Sequence, residues 1–105
     1  LPSVAVLSDG TVGVTYYDFR NDDGTGELAD YWIVHCHSTC ATAGNWGNEI
    51  RLTAAPFNYA LAPFANGLFL GDYMGLASDG ADFLAFFQQS SPTDPANGFF
   101  RRIGP

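Results

Sequence analysis

An acid and a phenol stand side by side at Asp72 and Tyr73, in an apolar-rimmed loop just after Gly71. A carboxyl group can transfer protons to or from a bound ligand, and the hydroxyl of a phenol can form a hydrogen bond beside it. The pair therefore predicts a catalytic role, in which both side chains point into a cleft. The alternative is structural, with Asp72 accepting backbone amides where a strand begins.

A second group of oxygen-bearing side chains lies in a glycine-punctuated segment between two predicted strands. Asp22, Asp23 and Glu27 surround Gly24 and Gly26, and carboxylate oxygens are ligands that suit Ca²⁺. Their spacing fits no EF-hand loop. The group therefore predicts either a calcium site or an ordinary solvated loop at the surface.

Asp18 and Arg20 flank Phe19 at the start of the same segment, and Asp30 stands at its far end. The planar guanidinium of an arginine can hold a carboxylate through two parallel hydrogen bonds. The Asp18–Arg20 pair predicts either an ion pair that fixes the rim of a sheet or a contact with a ligand. Asp30 is included with them as a candidate ligand-binding residue.

Two cysteines and two histidines cluster in one short stretch of the chain. Cys36 and Cys40 are spaced to close a small disulfide loop across a turn if the protein is secreted. His35 and His37 are two residues apart on a predicted strand and so share a face. With Cys40 nearby they suggest either a zinc site or ordinary packing and hydrogen bonding.

The composition limits the classes of function. Eleven acidic residues against four arginines give a formal charge of −7, which argues against nucleic-acid binding because phosphates would be repelled. Hydrophobic residues make up 47% of the 105 residues, so a folded domain is expected rather than a disordered tail. No apolar run approaches the roughly 20 residues of a membrane span, and no signal peptide is visible. Both ends of the chain lack an evident cap, which predicts a fragment.

Alternating stretches rich in β-branched and aromatic residues predict short strands joined by turns. The first four strands are predicted at residues 3–8, 12–18, 30–37 and 48–53. A long connection over 54–74 follows, and the pattern then restarts. At an offset of 70 residues, Ser8-Asp9-Gly10 falls on Ser78-Asp79-Gly80. A loop over 91–98 and a strand over 99–103 complete the chain.

In a β-propeller sequence, a unit of four strands is followed by a second unit of the same kind. The restart after residue 74 matches this pattern. The predicted fold class is all-β, with antiparallel four-stranded propeller blades in a fragment of about one and a half to two blades. Residues 1–74 form the first blade with its connection, and residues 75–105 begin the second. The alternative is a generic antiparallel sheet whose turns share Ser-Asp-Gly.

Strand direction predicts which connections share an end of the sheets. Because successive antiparallel strands alternate in direction, the loop 18–30, the connection 54–74 and residues 88–97 should emerge on one side. The candidate residues for chemistry all lie in or beside these segments. They are Asp18, Arg20, Asp22, Asp23, Glu27, Asp30, Asp72 and Tyr73.

The chain resembles the sialidase-like propellers of the BNR, or Asp-box, superfamily. The resemblance rests on the segments 12–20 and 69–76, on Trp46 before a strand at 50–53, and on Ala62-Pro63. It is similar to bacterial secreted proteins labelled exo-α-sialidase or BNR-repeat glycosyl hydrolase. This resemblance implies an extracellular glycoside hydrolase propeller with a glycan substrate, whose remaining blades come from a longer parent chain. It implies no cofactor other than calcium.

The Asp box, Ser-x-Asp-x-Gly-x-Thr-Trp, is degenerate in this chain. Ser38, Gly44 and Trp46 are present in order, but the aspartate is missing and the spacing is one residue longer. In the family, the box aspartate binds amides of the turn between the third and fourth strands. We therefore expect a bridge between Cys36 and Cys40 to hold this turn instead.

The catalytic pattern of the family is also incomplete. Sialidase chemistry uses three arginines on the substrate carboxylate, a tyrosine nucleophile assisted by a glutamate, and an aspartic acid. Only Arg20 lies on the predicted loop side, so the fragment alone is expected to be inactive. The alternatives are a non-catalytic propeller module that binds glycan, protein or calcium, and a purely structural pair of blades.

Overall fold

The computed structural model describes residues 1–72 and 74–105 and consists of two antiparallel β-sheets. The first sheet has the order β1-β2-β3-β4, with a short β5 pairing to the start of β3, and the second has the order β6-β7-β8. The strands are β1 Ser3–Val6, β2 Val12–Asp18, β3 Leu28–Cys36, β4 Trp46–Arg51, β5 Phe57–Asn58, β6 Gly75–Asp79, β7 Asp82–Gln89 and β8 Asn97–Ile103. No α-helix occurs in these residues. The predicted all-β, antiparallel fold class is confirmed at this level.

The predicted strands are all present, and they differ from the observed ones at their ends. β2 coincides with the predicted strand 12–18, whereas β3, β4 and β8 each begin two residues earlier than predicted. A strand ends where its partner stops pairing, and that partner is set by the tertiary structure rather than by local residue type. β5 was not predicted, because two residues carry no alternation pattern.

The core lies between the two sheets and is largely aromatic. Tyr31 and Ile33 of β3 face Phe83 and Phe87 of β7, and all four side chains are fully buried. The rings of Tyr31 and Phe87 stack with their centroids 4.7 Å apart. The Tyr31 hydroxyl donates to Thr15 Oγ1 at 2.7 Å, so this phenol is paired inside the core.

The two sheets are stacked in the same orientation. β1 lies beside β6 with the same direction, because the Ser3 hydroxyl donates to the Met74 carbonyl and the Ser8 amide donates to the Gly80 carbonyl, both at 2.9 Å. β2 in turn lies over β7, where Gly13 sits directly against the Phe83 ring. Each sheet therefore repeats the other's layout, strand over strand.

The two Ser-Asp-Gly stretches do not occupy equivalent positions, so this part of the predicted repeat is wrong. In the first sheet β1 and β2 stop pairing at Val6 and Val12, which leaves Ser8-Asp9-Gly10 inside the turn. In the second sheet Asp79 pairs with Asp82, so Ser78 and Asp79 belong to β6 and the turn is two residues long. Ser, Asp and Gly favour turns in any hairpin, so the same tripeptide occurs at both turns although the strands pair in different registers.

Candidate functional site

Three connections from both sheets meet at one end of the stack. β5 pairs with the first residues of β3, and the Ser90 hydroxyl of the second sheet donates to the Asn58 carbonyl at 2.6 Å. Asn58 in turn donates through its side chain to Glu27 at 3.1 Å. We call this region, made of residues 19–27, 54–72 and 90–96, the loop end. The prediction that these connections share one side is confirmed.

A cavity of about 150 Å³ opens at the loop end, and we call it the tyrosine cavity. Its lining residues are Leu1, Tyr17, Tyr59, Phe69, Leu70, Gly71 and Met74. Both phenols already have partners. Tyr17 donates to the Gln88 carbonyl at 2.6 Å and accepts from the Gln88 amide at 3.0 Å, while Tyr59 donates to the Leu68 carbonyl at 2.7 Å. Burial raises the pKa of Tyr17, so its hydroxyl stays protonated and holds the two sheets together.

A second opening of about 260 Å³, which we call the amide groove, lies between the connection that follows β4 and the end of the β7–β8 hairpin. One wall is formed by residues 54–57. The other wall carries Gln89, Ser90, Ser91, Asn97 and Phe99. Among the described residues, none of the side chains that line this groove is charged, in contrast to the formal charge of −7 of the whole chain.

Only the first residue of the predicted catalytic pair, Asp72, belongs to the residues that the structure describes. Gly71 lines the cavity, and Asp72, the next residue, is exposed to solvent. Tyr73 lies outside the residues that the structure describes. The catalytic role of the pair stays a prediction.

Asp18 and Arg20 form the ion pair that the sequence allowed, at 2.5 Å. The same guanidinium also contacts Glu49 of β4 and lies over the Trp32 ring, 4.2 Å from its centroid. These partners belong to the outer face of the first sheet, away from the core, and they use most of the donors of Arg20. Glu49 was missed from the sequence because it reaches Arg20 only through the pairing of β3 with β4.

Asp30 is buried and is not placed to contact a ligand, so the ligand-binding prediction for it is not supported. Its side chain is 1% exposed. The hydroxyl of Thr53 and the amide of Asn21, the latter at 2.8 Å, donate to its two oxygens, and Arg51 lies 3.9 Å away. A buried carboxylate with these partners fixes the entry to β3 against the connection after β4.

The three acidic residues of the loop 19–27 do not come together as a metal site. Asp22 accepts four backbone amides, those of Gly24, Gly26, Glu27 and Leu28, at 2.8 to 3.0 Å. Asp23 accepts from Thr25 and Glu27 accepts from Asn58. Within residues 1–72 and 74–105 no group of three or more His, Cys, Asp or Glu side chains is arranged to hold a metal ion. The geometry favours the structural alternative, a surface loop folded around Asp22.

The hydrogen bonds to Asp22 predict that the protein loses stability over a defined acidic pH range. The amides of Leu28 and Gly26, with smaller contributions from those of Gly24 and Glu27, lower its pKa from 3.8 to about 2. A carboxyl group whose pKa falls on folding contributes stability above its unfolded pKa and loses it as the pH drops. The urea midpoint of the wild type should therefore fall between about pH 4 and about pH 2.

The Asp22→Asn variant should be less stable at pH 6 and show a shallower fall in this window. Asp23→Asn is the matched control, since Asp23 is adjacent and exposed but binds only Thr25. It should keep the wild-type pH dependence. A variant at position 22 that follows the wild-type curve would show that the four amide contacts do not form in solution.

The cysteine and histidine cluster is structural. Cys36 and Cys40 form a disulfide across the turn that leads into β4, as predicted. His35 is buried, packs on Phe83 with ring centroids 5.3 Å apart, and bonds through Nδ1 to the Asn48 carbonyl at 2.9 Å. These contacts favour packing and hydrogen bonding as the role of His35, although its buried Nε2 has no hydrogen-bond partner, and no group of three metal-binding side chains forms among the described residues.

The turn that resembles an Asp box is held by contacts other than an aspartate. The Trp46 indole donates to the Cys40 carbonyl at 2.9 Å, and the Asn45 amide donates to the carbonyls of Ser38 and Thr39 at 3.1 and 3.2 Å. With the disulfide, these bonds tie both ends of the turn to its middle. The bridge across the turn is confirmed, whereas its equivalence to an Asp box stays a prediction.

Loss of this disulfide should destabilise the protein moderately. The bridge closes a loop with a sequence separation of 4, and the chain-entropy model gives about 2 kcal/mol for so short a loop. The Cys36→Ala/Cys40→Ala variant should lose that amount in urea unfolding followed by tryptophan fluorescence. Reductant should shift the wild-type midpoint and leave the variant unchanged. Equal midpoints for both proteins without reductant would contradict the prediction.

No protein-family model, curated protein or solved structure matches this chain. The likeness to Asp-box propellers therefore rests on the quoted residues alone. Within the described residues, no helix is both long enough and apolar enough to cross a membrane.

Proposed function

We propose that this chain is a two-sheet portion of a sialidase-like β-propeller that binds glycans at its loop end without hydrolysing them. One observation carries the proposal: three connections from two stacked sheets converge on the same end, where the tyrosine cavity and the amide groove open. Concave sites with apolar and aromatic walls and a few polar groups are the usual places for small ligands.

The way the sheets stack supports the propeller part of the proposal. Parallel neighbouring first strands, β1 and β6, are the arrangement that successive blades require around a central axis. The outer faces of the stack also carry exposed apolar side chains, Val4 and Val6 on one sheet and Phe86 and Phe100 on the other. Such faces support further sheets on both sides, supplied by the remaining blades of a parent chain. The disulfide supports a secreted location.

The contacts that the charged residues make within the protein support glycan binding rather than glycan hydrolysis. Arg20, the one arginine expected on the loop side, is occupied by Asp18, Glu49 and Trp32. Asp30 is buried among its own partners. Within the described part of the loop end, Arg20 is therefore not free to bind the carboxylate of an acidic sugar, and Asp30 is not free to act as an acid or base.

Hydrolysis is the second candidate, and the position of Asp72 favours it. This exposed carboxyl group directly follows Gly71 in the wall of the tyrosine cavity. An acid at that rim could protonate a leaving oxygen once the remaining blades supply the arginines and the nucleophile's partner.

A glycan array and a fluorogenic sialoside, used on the same protein, test both candidates. We expect binding to glycans on the array and no release of the fluorophore above the buffer rate. Release that Asp72→Asn abolishes, and that Asp94→Asn in the next loop leaves intact, would establish the hydrolase and overturn the non-catalytic proposal. A chain that neither binds nor hydrolyses would overturn both.

A further inference from the structure

The amide groove carries a chemistry that the proposed function does not specify. Gln89 and Asn97 stand directly opposite each other in the register of β7 and β8. Residues paired in this way hold their Cβ atoms about 4.5–5.5 Å apart. Both amides line the groove, and no hydrogen bond joins either side chain to another group within residues 1–72 and 74–105. Two neighbouring primary amides are therefore free to bind.

An aromatic ring lies next to these amides on the same face. Phe99 is two residues beyond Asn97 on β8, lines the groove and is 38% exposed. Its ring stacks against the ring of Phe87, with the two centroids 5.8 Å apart. A supported but accessible ring presents a flat apolar surface without loss of side-chain freedom on binding.

The remaining polar groups of the groove are already committed. Ser90 donates to the Asn58 carbonyl and Ser91 donates to the Asp94 carbonyl, at 2.6 and 3.2 Å. The next residue along this face of β8, Arg101, turns its Nε to the Leu52 carbonyl at 3.2 Å and lines a neighbouring groove. The polar chemistry offered to a ligand is thus neutral and comes from the two amides.

We infer that the amide groove binds the neutral hexose unit of a glycan, an inference that rests on the proposed glycan-binding function. Each amide has two N–H donors and a carbonyl acceptor, which match sugar hydroxyls because these both donate and accept. The apolar C–H face of a hexose covers the Phe99 ring. A sugar carboxylate finds no cation among the lining residues, and the formal charge of −7 repels it further.

The test is an NMR titration of the ¹⁵N-labelled chain with three probes: methyl β-glucoside, methyl β-galactoside and the methyl glycoside of N-acetylneuraminic acid. A neutral glycoside should bind with a Kd on the order of 1 mM, as the size of the ligand allows. The shifted amides should lie in residues 54–57 and 89–99. The N-acetylneuraminic acid glycoside should bind at least tenfold more weakly.

Two ring substitutions on one strand provide the matched comparison. Phe99→Ala should weaken the neutral glycoside at least tenfold, whereas Phe100→Ala, on the opposite face of β8 and 61% exposed, should leave its Kd within twofold. Asn97→Ala should weaken binding severalfold and serves if Phe99→Ala does not fold, as judged from its amide spectrum.

The outcomes separate this inference from the proposed function. Shifts confined to the tyrosine cavity, tighter binding of the acidic glycoside, or indifference to Phe99→Ala would overturn the neutral-hexose inference alone. The same holds if array glycans bind while all three monosaccharides fail. Failure of monosaccharides and array glycans together would overturn both proposals.

Discussion

Truncating Phe83 to alanine should cost about 3–5 kcal/mol, the range for removing a fully buried phenylalanine. Phe83 has no exposed surface, packs on the His35 ring, and fills the space that Gly13 leaves open on the opposite sheet. The cavity would lie between the two sheets, where Gly13 has no side chain to fill it. Since whole domains are stable by roughly 5–15 kcal/mol, the variant should be partly unfolded at 25 °C.

Urea unfolding followed by tryptophan fluorescence measures this loss. Phe86→Ala is the control, because Phe86 lies on the same strand but points outward and is 44% exposed. Its cost should be about 1 kcal/mol or less, as for most surface positions. Equal losses at positions 83 and 86 would mean that the contact between the sheets is not the core of the protein.

Replacing Gly13 with valine should destabilise the protein by roughly 2–3 kcal/mol, in the upper part of the range for overpacked cores. A Cβ atom at this position would lie 2.7 Å from two ring carbons of Phe83, and that ring is buried and unable to move aside. Valine favours a strand over glycine by roughly 0.5–1 kcal/mol, which is too little to offset the clash. The sheet contact therefore decides the sign of the effect.

The Gly47→Val variant separates the steric clash with Phe83 from the preference of valine over glycine in a strand. Gly47 lies in β4, and a Cβ atom there meets nothing within 4 Å. This variant should be neutral or slightly more stable than the wild type. In the double variant Gly13→Val/Phe83→Leu, the combined loss should be smaller than the sum of the two single losses, because leucine removes the ring that valine strikes. Strict additivity would show that the two residues are not in contact.

Much of the fold could be predicted from local pattern. β2, with its run of β-branched and aromatic residues, was placed at its observed bounds, and β3, β4 and β8 were each found within two residues. The convergence of the connections followed from the alternation of strand direction alone. The disulfide followed from the spacing of Cys36 and Cys40. Each of these features depends on residues close together in sequence.

The roles of the charged residues could not be predicted in the same way. Arg20 and Asp30 looked alike in the sequence as polar groups at the ends of one loop. The pairing of β4 with β3 brought Glu49 to the first, and the connection after β4 brought Thr53 to the second. The amide groove was also missed, since Gln89 and Asn97 belong to different strands and line the groove together with residues 54–57 of the connection after β4.

The predicted repeat offset of 70 residues shows most clearly that the sequence does not reveal how the two sheets are related in space. It aligns Gly13, Thr15 and Tyr17 with Phe83, Ala85 and Phe87, and the structure places both sets in the contact between the sheets, facing each other. In two sheets stacked in the same orientation, equivalent residues must point the same way. A shift of one residue along a strand reverses every side chain, so this offset cannot be the structural repeat.

The sequence by itself determined that this protein is made of short antiparallel strands and which connections lie together, and it identified the two cysteines that could form a bridge. Only the tertiary structure decided the register between the sheets, the partners of the buried and ion-paired side chains, and the uncharged lining of the amide groove. The physical reason is that alternation and turn chemistry act over a few residues. Packing of one sheet on another instead depends on volumes and hydrogen bonds that residues far apart in the chain contribute together.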